Sequence, residues 1–524
     1  MCGLIYLNGN NNTTIPTGML NNSIKKIKHR GPDISTVISN KQGEILGFHR
    51  LAINGMNGLS NQPMTLNGTT YLLCNGEIYN HLALQERYNV KCTTGSDCEI
   101  ILHLVEKIGF DQTVKELDGE FAFVLVTPEK VFIARDPYGV RALYFAIDDD
   151  RIGIASENKA LYYLFNPAFI KQFPPGECAT WDKLTKVYQS NSYYRFAHQI
   201  IPQAQINEEE CIATLRTLLV NAVKKRMMCS RANAIGAYLS GGFDSSVIAA
   251  ILQKELQLVN PAHKLETFSI GFEGSPDLFY ARKVAAHIGS NHHEYVIEEM
   301  QALQAIHPVI EAIETYDITT IRASTMMYLL SNYISEHSAS VVMFSGEGSD
   351  EASGSYRYFD NAPSDEEFHT ESERLLKDLC YFDNLRADKS SAAWGLELRV
   401  PFLDIDFLNY YMTLPRGVKT QNGLEKYILR KAFEGYLPEE VLYRPKEAMS
   451  DGVSILTRSW SKIIQDYACE VMTLKNGLEA EKEMYLRIFR KFYSDCEHQL
   501  PYYWLPKWCG EVKDPSARVL RIYK

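Results

Sequence analysis

The chain begins with MCGLIYL, so a cysteine stands one residue from its start. If the first methionine is removed, Cys2 becomes the N-terminal residue and carries a nucleophilic thiol and a free α-amine, which together form a nucleophile and its own base. Alternatively, Cys2 is a small hydrophobic residue buried at the start of a strand, as most free cysteines are. Its position alone leaves both interpretations open.

A glycine-rich motif in the second half of the chain is a candidate anion site. In AIGAYLSGGFDSSVIAAIL, an apolar strand over residues 234–239 runs through two glycines into an apolar helix. Glycines let the backbone approach an anion, and the helix N-terminus and serine hydroxyls supply donors, so a phosphate fits here. No lysine follows the glycines, which excludes a Walker loop. The alternative is an ordinary strand-to-helix turn. The motif contains Ser240, Gly241, Gly242, Asp244, Ser245 and Ser246.

A second loop of similar type, VVMFSGEGSDE, follows another apolar strand. In an open α/β sheet, ligands bind where such loops meet at the carboxyl ends of parallel strands. Asp244 of the first loop and Asp350 of the second could then hold Mg²⁺, which prefers carboxylates together with substrate phosphates. A solvated acidic turn is the alternative. The second loop supplies Ser345, Gly346, Glu347, Asp350 and Glu351.

The elements that must position these residues differ between the two halves of the chain. Residues 1–195 contain short alternating runs such as FAFVLVT and RIGIASE, which predict a layered, largely antiparallel sheet structure. A polar linker, HQIIPQAQINEEE, follows and ends with Asn207 as a helix cap. From residue 208, helical patterns alternate with short apolar strands, which predicts a parallel sheet. We therefore expect an α/β multidomain chain with domains at 1–195 and 208–524.

The overall composition argues against several classes of function. Lys and Arg number 54 against 64 Asp and Glu, and the net charge of −10 argues against a nucleic-acid partner. Eleven cysteines, an odd number with no CxxC pair, favour reduced thiols and a cytoplasmic location. The sequence has neither a signal-peptide pattern nor an apolar run of about 18 residues, so we expect no membrane partner.

Several motifs together resemble a known family. MCGLIYL, KHRGPD, FHRLAI, CNGEIYN, TGSDCE and RDPYGVRALY resemble the class II glutamine amidotransferase domain, and YLSGGFDSS resembles the pyrophosphate loop of ATP-pyrophosphatase synthetases. YDITTIRASTMMYLLS, FSGEGSDE, LELRVPFLD and YRPKEAMSDGV are similar to the glutamine-hydrolysing asparagine synthetases. The resemblance covers nearly the whole chain. It implies a layered αββα N-terminal-nucleophile glutaminase domain followed by a doubly wound, Rossmann-like ATP-pyrophosphatase domain with a parallel sheet.

The resemblance implies residue roles in the first half. Cys2 would attack the side-chain amide of glutamine while its α-amine moves the proton, and Asn75 with the Gly76 N–H would form the oxyanion hole. Arg50 would bind the glutamine carboxylate, which needs a two-pronged donor. Two acids would meet the α-ammonium group. The implied glutamine-binding residues, with these acids last, are Arg50, Leu51, Ala52, Ile53, Asn54, Asn75, Gly76, Glu77 and Asp97.

In the second half, the resemblance implies ATP-dependent activation of aspartate. The β-carboxylate would attack the α-phosphorus to give aspartyl-AMP, pyrophosphate would leave on Mg²⁺ and Lys446, and ammonia from glutamine would displace AMP to give asparagine. Glu347 resembles the family's general base toward ammonia, and Arg322 resembles its charge partner for the phosphate or the intermediate. Asp244 and Asp350 would hold the metal. The implied ATP-binding residues are Leu239, Ser240, Gly241, Gly242, Asp244, Ser245, Ser246, Ile270, Ser345 and Gly346.

Three positions depart from the family pattern. Met327 replaces an expected proline, and Ser353 and Ser355 replace a bulky apolar residue and a glycine. These departures concern substrate positioning more than the reaction class. The alternatives are a related amidotransferase that amidates a different carboxylic acid, glutamine-dependent phosphosugar chemistry, which the pyrophosphate loop disfavours, and a non-enzymatic interaction protein. A homodimer is a further expectation.

Overall fold

The structure is a computed structural model that describes residues 1–8, 16–149, 151–196, 198–446, 449–455, 457–510 and 512–516. In the described part of the first half, the strands are β1 Gly3–Leu7, β2 Ile34–Ser39, β3 Ile45–Arg50, β4 Met64–Leu66, β5 Thr70–Ile78, β6 Gly119–Val126, β7 Lys130–Arg135, β8 Tyr144–Asp148, β9 Arg151–Ala155, β10 Ile170–Gln172, β11 Glu177–Asp182 and β12 Tyr188–Ser192. They form two antiparallel sheets, ordered β10-β8-β9-β1-β3-β2 and β12-β11-β7-β6-β5-β4.

The two antiparallel sheets pack face to face because each carries alternating apolar residues. Leu4 and Tyr6 of β1 and Phe48 of β3 share one buried cluster with Leu73 of β5 and Val124 of β6. Helices cover the outer faces, α1 on one sheet and α3 with α4 on the other. This αββα layering confirms the fold predicted for the first half. The helices are α1 Thr17–Lys25, α2 His81–Arg87, α3 Glu99–Ile108 and α4 Phe110–Glu116.

A third sheet in the second half has five parallel strands in the order β15-β14-β13-β16-β17. Its strands are β13 Ile235–Tyr238, β14 Glu266–Phe272, β15 Asn291–Ile297, β16 Val342–Phe344 and β17 Glu397–Arg399. The chain runs outward from β13 to β15 and then returns to the other side of β13. The prediction of a doubly wound parallel sheet is therefore confirmed, and the strand order reverses between β13 and β16, where such sheets bind ligands.

Helices flank this sheet, and the first of them begins where the sequence predicts. The Asn207 side chain accepts hydrogen bonds from the backbone N–H groups of Glu209 and Glu210, so Asn207 caps the helix as expected. The helices of the second half are α5 Glu208–Arg226, α6 Phe243–Val259, α7 Pro276–Ile288, α8 Glu299–Ile313, α9 Ile318–His337, α10 Ser349–Ser353, α11 Asp365–Asp378, α12 Asp383–Ala392, α13 Ile405–Tyr411, α14 Arg416–Lys419, α15 Tyr427–Ala432, α16 Glu439–Leu442, α17 Met449–Gly452, α18 Trp460–Met472 and α19 Gly477–Tyr493.

Buried ion pairs join the two halves. Arg30 pairs with Asp388 of α12 at 2.9 Å, and Arg226 at the end of α5 pairs with Glu120 of β6 at 2.8 Å. Removing one partner of such a pair would leave a buried charge uncompensated, so these contacts constrain how the halves meet. Among the described helices, none has the length and apolar character needed to cross a bilayer.

Candidate active sites

The first candidate site joins the two antiparallel sheets. Cys2 immediately precedes β1, and Asn75 belongs to β5 of the other sheet; Asn75 Oδ1 accepts a hydrogen bond from the Cys2 backbone nitrogen at 2.8 Å. Asn75 is fully buried, and its Nδ2 has no hydrogen-bond partner among the described residues. A buried donor without a partner is costly unless a ligand supplies the acceptor. Asn75 Nδ2 is therefore suited to stabilise an oxyanion near Cys2.

The Cys2 thiol needs a base before it can act as a nucleophile. Burial raises its pKa to about 11, although the neighbouring amino terminus and the Leu51 backbone N–H, 3.4 Å from Sγ, oppose the shift. Met1 is fully buried beside it and makes the Cys2 nitrogen an amide, which cannot accept a proton. Removal of Met1 would convert this nitrogen into an α-amine and complete the nucleophile–base pair.

Gly76 follows Asn75 and fits only as glycine. Its φ is 150°, and a Cβ there would lie 2.1 Å from the carbonyl oxygen of Glu120. Glycine therefore allows β5 to pass close to β6. This close approach fixes the backbone that carries Asn75 and the Gly76 N–H.

Arg50 ends β3 and shapes the loop that follows it. Its guanidinium donates hydrogen bonds to the carbonyl oxygens of Asn54 at 2.9 Å and Gly55 at 2.5 Å, and to Asn61 Oδ1 at 2.7 Å. The buried residues predicted at 51–53 lie in the same loop, and the Leu51 carbonyl oxygen lies 3.8 Å from Cys2 Sγ. Arg50 thus holds the pocket loop beside the thiol.

Two buried acids lie next to this loop. Asn54 Nδ2 donates to Glu77 Oε2 at 2.6 Å, and the Ile78 backbone N–H donates to Asp97 Oδ2 at 2.7 Å. Burial raises the pKa of both carboxyl groups, and the charge of Asp97 raises the pKa of Glu77 further. Neighbouring acids of this kind favour a cation between them, such as the ammonium group of an amino acid.

The second candidate site is a cavity at the carboxyl ends of β13, β14 and β16, where the strand order reverses. Both predicted loops open into it, as expected for a doubly wound sheet. The predicted residues that line the cavity are Leu239, Ser240, Gly242, Asp244, Ser245, Ile270, Ser345, Gly346, Glu347, Asp350 and Lys446.

Three predicted residues do not line this cavity: Gly241, Ser246 and Arg322. Gly241 has a φ of 71°, and a Cβ there would lie 2.4 Å from the Ala281 nitrogen of α7, so its role is to permit close packing. The Ser246 hydroxyl is buried. The Arg322 guanidinium is occupied by Glu481 and Asp514, at 2.7 and 2.8 Å. The role of Arg322 toward phosphate stays a prediction from the sequence.

Two lysines neutralise the aspartates of the two loops. Lys426 Nζ lies 2.6 Å from Asp244 Oδ1 and 2.6 Å from Asp350 Oδ1, and Lys446 Nζ lies 2.5 Å from Asp350 Oδ2. Burial opposes the charged form of Asp350, but both ammonium groups outweigh it and hold the pKa of this carboxyl below its ordinary value. The two loops therefore meet in one compact cluster of charges. The sequence gives no local signal for Lys426, because it lies 182 positions from Asp244 and 76 positions from Asp350.

The two aspartates fit a magnesium ion by their chemistry. Carboxylate oxygens from adjacent loops converge here, and two serine hydroxyls hold them, Ser349 on Asp244 at 2.7 Å and Ser355 on Asp350 at 2.5 Å. Mg²⁺ takes oxygen ligands from one or two carboxylates together with substrate phosphates. Asp244 and Asp350 are the residues that would hold it.

Glu347 lies in the same cavity and is held by an arginine that the sequence analysis missed. Arg386 Nη2 donates to Glu347 Oε2 at 2.8 Å and to Asp383 Oδ1 at 2.7 Å. Burial raises the pKa of Glu347, although Arg386 opposes the shift. A carboxylate with a raised pKa is a better general base than an ordinary glutamate.

The three departures from the family pattern all have contacts at or near this cavity. Met327 lines it, and its sulfur lies 3.5 Å from Arg386 Nη1. Ser353 Oγ accepts a hydrogen bond from the Tyr411 hydroxyl at 3.1 Å. Ser355 donates to Asp350, as described above. Met327 thus contacts the partner of Glu347, and Ser355 contacts the predicted metal ligand Asp350.

One further group of potential metal ligands occurs among the described residues: Cys92, Glu99 and His103. The Glu99 carboxylate already accepts hydrogen bonds from the backbone N–H groups of Thr93 and Thr94, at 2.9 and 2.7 Å. These bonds give Glu99 a structural role, since they hold the loop that leads to Asp97.

Comparisons with known proteins agree with this arrangement of two sites. A family model described as asparagine synthase matches residues 214–367 and 360–508, and one described as glutamine amidotransferase domain matches residues 1–207. Asparagine synthetase (glutamine-hydrolyzing) of Gallus gallus is 44% identical over 565 aligned positions, and the alignment covers 100% of this chain and 99% of that protein. The Homo sapiens protein of the same description is 43% identical over 566 residues, with the same coverage. A solved glutamine phosphoribosylpyrophosphate amidotransferase from B. subtilis is 16% identical, with a TM-score of 0.33 over 56% of this chain and 81% of that one. The full-length similarity shows that the chain belongs to the glutamine-hydrolysing asparagine synthetase family.

Proposed function

We propose that the chain synthesises L-asparagine from L-aspartate and ATP, using ammonia released from L-glutamine, and produces AMP, pyrophosphate and glutamate. The observation that carries the proposal is that both candidate sites occur in one chain that matches asparagine synthetases over its whole length. Amidation of a different carboxylic acid is not favoured by those full-length matches. We assign glutamine hydrolysis to residues 1–195 and synthesis to residues 208–524.

In the glutamine reaction, the Cys2 thiol attacks the side-chain amide and its α-amine takes the thiol proton. Asn75 Oδ1, which contacts this nitrogen, orients the amine. Asn75 Nδ2 and the Gly76 N–H stabilise the oxyanion of the tetrahedral intermediate, an effect worth about 10²–10³ in rate for each donor. The α-amine then gives the proton to departing ammonia, and water releases glutamate from the thioester.

In the synthetase cavity, the β-carboxylate of aspartate attacks the α-phosphorus of ATP and pyrophosphate leaves. The Ser240 to Ser245 loop holds phosphate oxygens, and Lys426 and Lys446 balance the charge of the departing pyrophosphate. Mg²⁺ on Asp244 and Asp350 would neutralise phosphate charge. Glu347 takes a proton from ammonia as it attacks aspartyl-AMP and displaces AMP.

Pyrophosphate release tests the proposed substrate. The purified chain receives ATP, Mg²⁺ and ammonium with aspartate, glutamate or succinate, and both pyrophosphate and amide product are measured. We expect aspartate to exceed the other two by about 10⁴, because a site that pairs each polar group rejects a misplaced one. Faster turnover of glutamate or succinate would refute aspartate as the substrate. A homodimer, a cytoplasmic location and the absence of nucleic-acid and membrane partners remain predictions from the sequence.

A further inference from the structure

Arg322 joins three parts of the second half that are distant in sequence. It lies on α9, and its Nε and Nη2 donate to Glu481 of α19 at 2.8 and 2.7 Å. Its Nη1 donates to Asp514 Oδ1 at 2.8 Å. Asp514 belongs to the C-terminal strap, by which we mean residues 500–510 and 512–516. The Arg322 side chain is only 2% exposed, so these charge-assisted contacts are buried.

The C-terminal strap forms part of the wall of the synthetase cavity. Trp504, Pro506 and Pro515 line the cavity, and the last of these directly follows Asp514. The Trp504 backbone N–H donates to Asp317 Oδ1 at 3.0 Å, and Ser516 Oγ donates to Asp451 Oδ1 at 3.0 Å. The strap is therefore fastened at both ends, and the Arg322 contact lies beside Pro515, which lines the cavity.

The charges around Arg322 make Asp514 the partner that can separate. The Arg322 guanidinium contacts the carboxylates of both Glu481 and Asp514, so the group carries one net negative charge. Gln465 Nε2 donates to Asp514 Oδ2 at 2.7 Å, but this amide adds no charge. The Glu481 side chain is 0% exposed and sits on a long helix, whereas the Asp514 side chain is 14% exposed and sits on the strap. Release of Asp514 would leave a neutral Arg322–Glu481 pair.

We propose that the Arg322–Asp514 pair is a latch that seats the C-terminal strap against the nucleotide, with Asp514 as a positioning residue for synthesis. The latch holds the wall at Pro515 in place while ATP and aspartate react, and its release opens the cavity for substrates and products. Arg322 thereby acts through the strap and not on the phosphates. This inference rests on the proposed function of the cavity.

Asp514→Asn in the full-length chain tests the latch, because it keeps the size of the side chain and removes its charge. We expect the KM for ATP to rise about tenfold, as for a lost charge-assisted hydrogen bond. Glutamine hydrolysis should not change. Amide hydrogen exchange should become faster in residues 500–510 and 512–516 and remain unchanged in the parallel sheet. Asp514→Glu, which restores the charge, should recover most of the ATP affinity.

Asp466→Asn is the matched control, because Asp466 forms an exposed ion pair with Lys462 on α18. It should alter neither the KM for ATP nor exchange in the strap. Unchanged or improved ATP affinity in Asp514→Asn would overturn the latch. A wild-type chain that fails to use aspartate and ATP would instead refute the proposed function of the cavity.

Discussion

At the scale of single residues, one side-chain amide serves the first site twice. Asn75 Oδ1 accepts from the Cys2 nitrogen, which leaves Asn75 Nδ2 for a ligand oxygen. In the second site, Glu347 pairs with Arg386, but burial outweighs the effect of the guanidinium and leaves the pKa of Glu347 raised. Each site therefore contains one polar group whose environment suits a reaction step better than it suits stability.

Cys2→Ala should abolish glutamine hydrolysis, with a loss of at least about 10³-fold, because the thiol is the nucleophile. Synthesis from ammonium should remain within about twofold of wild type, since the aspartate cavity does not contain Cys2. Glutamate and asparagine production are measured separately with each nitrogen source. Cys469→Ala, on α18, is the control and should leave both activities intact. Glutamine-dependent synthesis by Cys2→Ala at the normal rate would refute the assignment.

Glu347→Gln should reduce synthesis with either nitrogen source by about 10²–10⁴, because glutamine cannot accept the proton of the attacking ammonia. Glutamine hydrolysis should continue. Because burial raises the pKa of Glu347, wild-type synthesis should decline on the acid side at a higher pH than an ordinary glutamate would cause. A pH–rate profile checks this, with Glu434→Gln, at an exposed position, as the control. Full activity of Glu347→Gln would exclude it as the base.

At the scale of elements, the short helix α14 ends in a buried lysine without a carboxylate partner among the described residues. Lys419 Nζ donates to the Ala352 carbonyl oxygen at 3.0 Å and lies 4.7 Å from the centre of the Tyr411 ring. Burial lowers the pKa of Lys419 from 10.5 to about 7. The folded chain therefore binds fewer protons here than the unfolded chain between pH 7 and 10.5, and this residue's contribution to stability increases with pH across that window.

Lys419→Met should consequently raise the unfolding temperature, and the gain should be larger at pH 7 than at pH 9.5. The expected stabilisation at pH 7 is on the order of 1–3 kcal/mol, since the methionine avoids the burial of a charge. Thermal unfolding at the two pH values measures it. Lys431→Met, at a partly exposed lysine of α15 that pairs with Glu434, should not be stabilised more at pH 7 than at pH 9.5. A variant that is less stable than wild type at pH 7 would show that the lysine has a partner worth more than its burial costs.

At the scale of the whole molecule, one arginine connects the nucleophile residue of the glutaminase half to the synthetase half. Arg30 Nε donates to the Cys2 carbonyl oxygen at 3.0 Å, and Arg30 Nη2 donates to Asp388 Oδ2 of α12 at 2.9 Å. Glu157 also binds Arg30, at 2.7 Å. The position of Cys2 therefore depends on a residue of the other half.

Asp388→Asn should weaken this link and lower stability by about 3 kcal/mol, because Arg30 would keep a buried positive charge with one carboxylate fewer. Synthesis from ammonium should persist, while glutamine-dependent synthesis should fall and the ratio of glutamate to asparagine should rise. Asp406→Asn, at an exposed position on α13, provides the control. An unchanged product ratio together with unchanged stability would argue against this coupling.

The sequence by itself determined the elements and the motifs they carry. Alternating apolar runs predict a layered, largely antiparallel sheet structure, and helical patterns that alternate with short apolar strands predict a parallel sheet, because both patterns depend on neighbouring residues. Tertiary structure decided the charge partners. Lys426 reaches Asp244 across 182 positions, Arg386 reaches Glu347 across 39, and Asp514 reaches Arg322 across 192. Such pairs form where folding brings opposite charges together out of water, so the spacing of residues in the sequence does not predict them. For this reason the role of Arg322 inferred from its motif differs from the one its partners indicate.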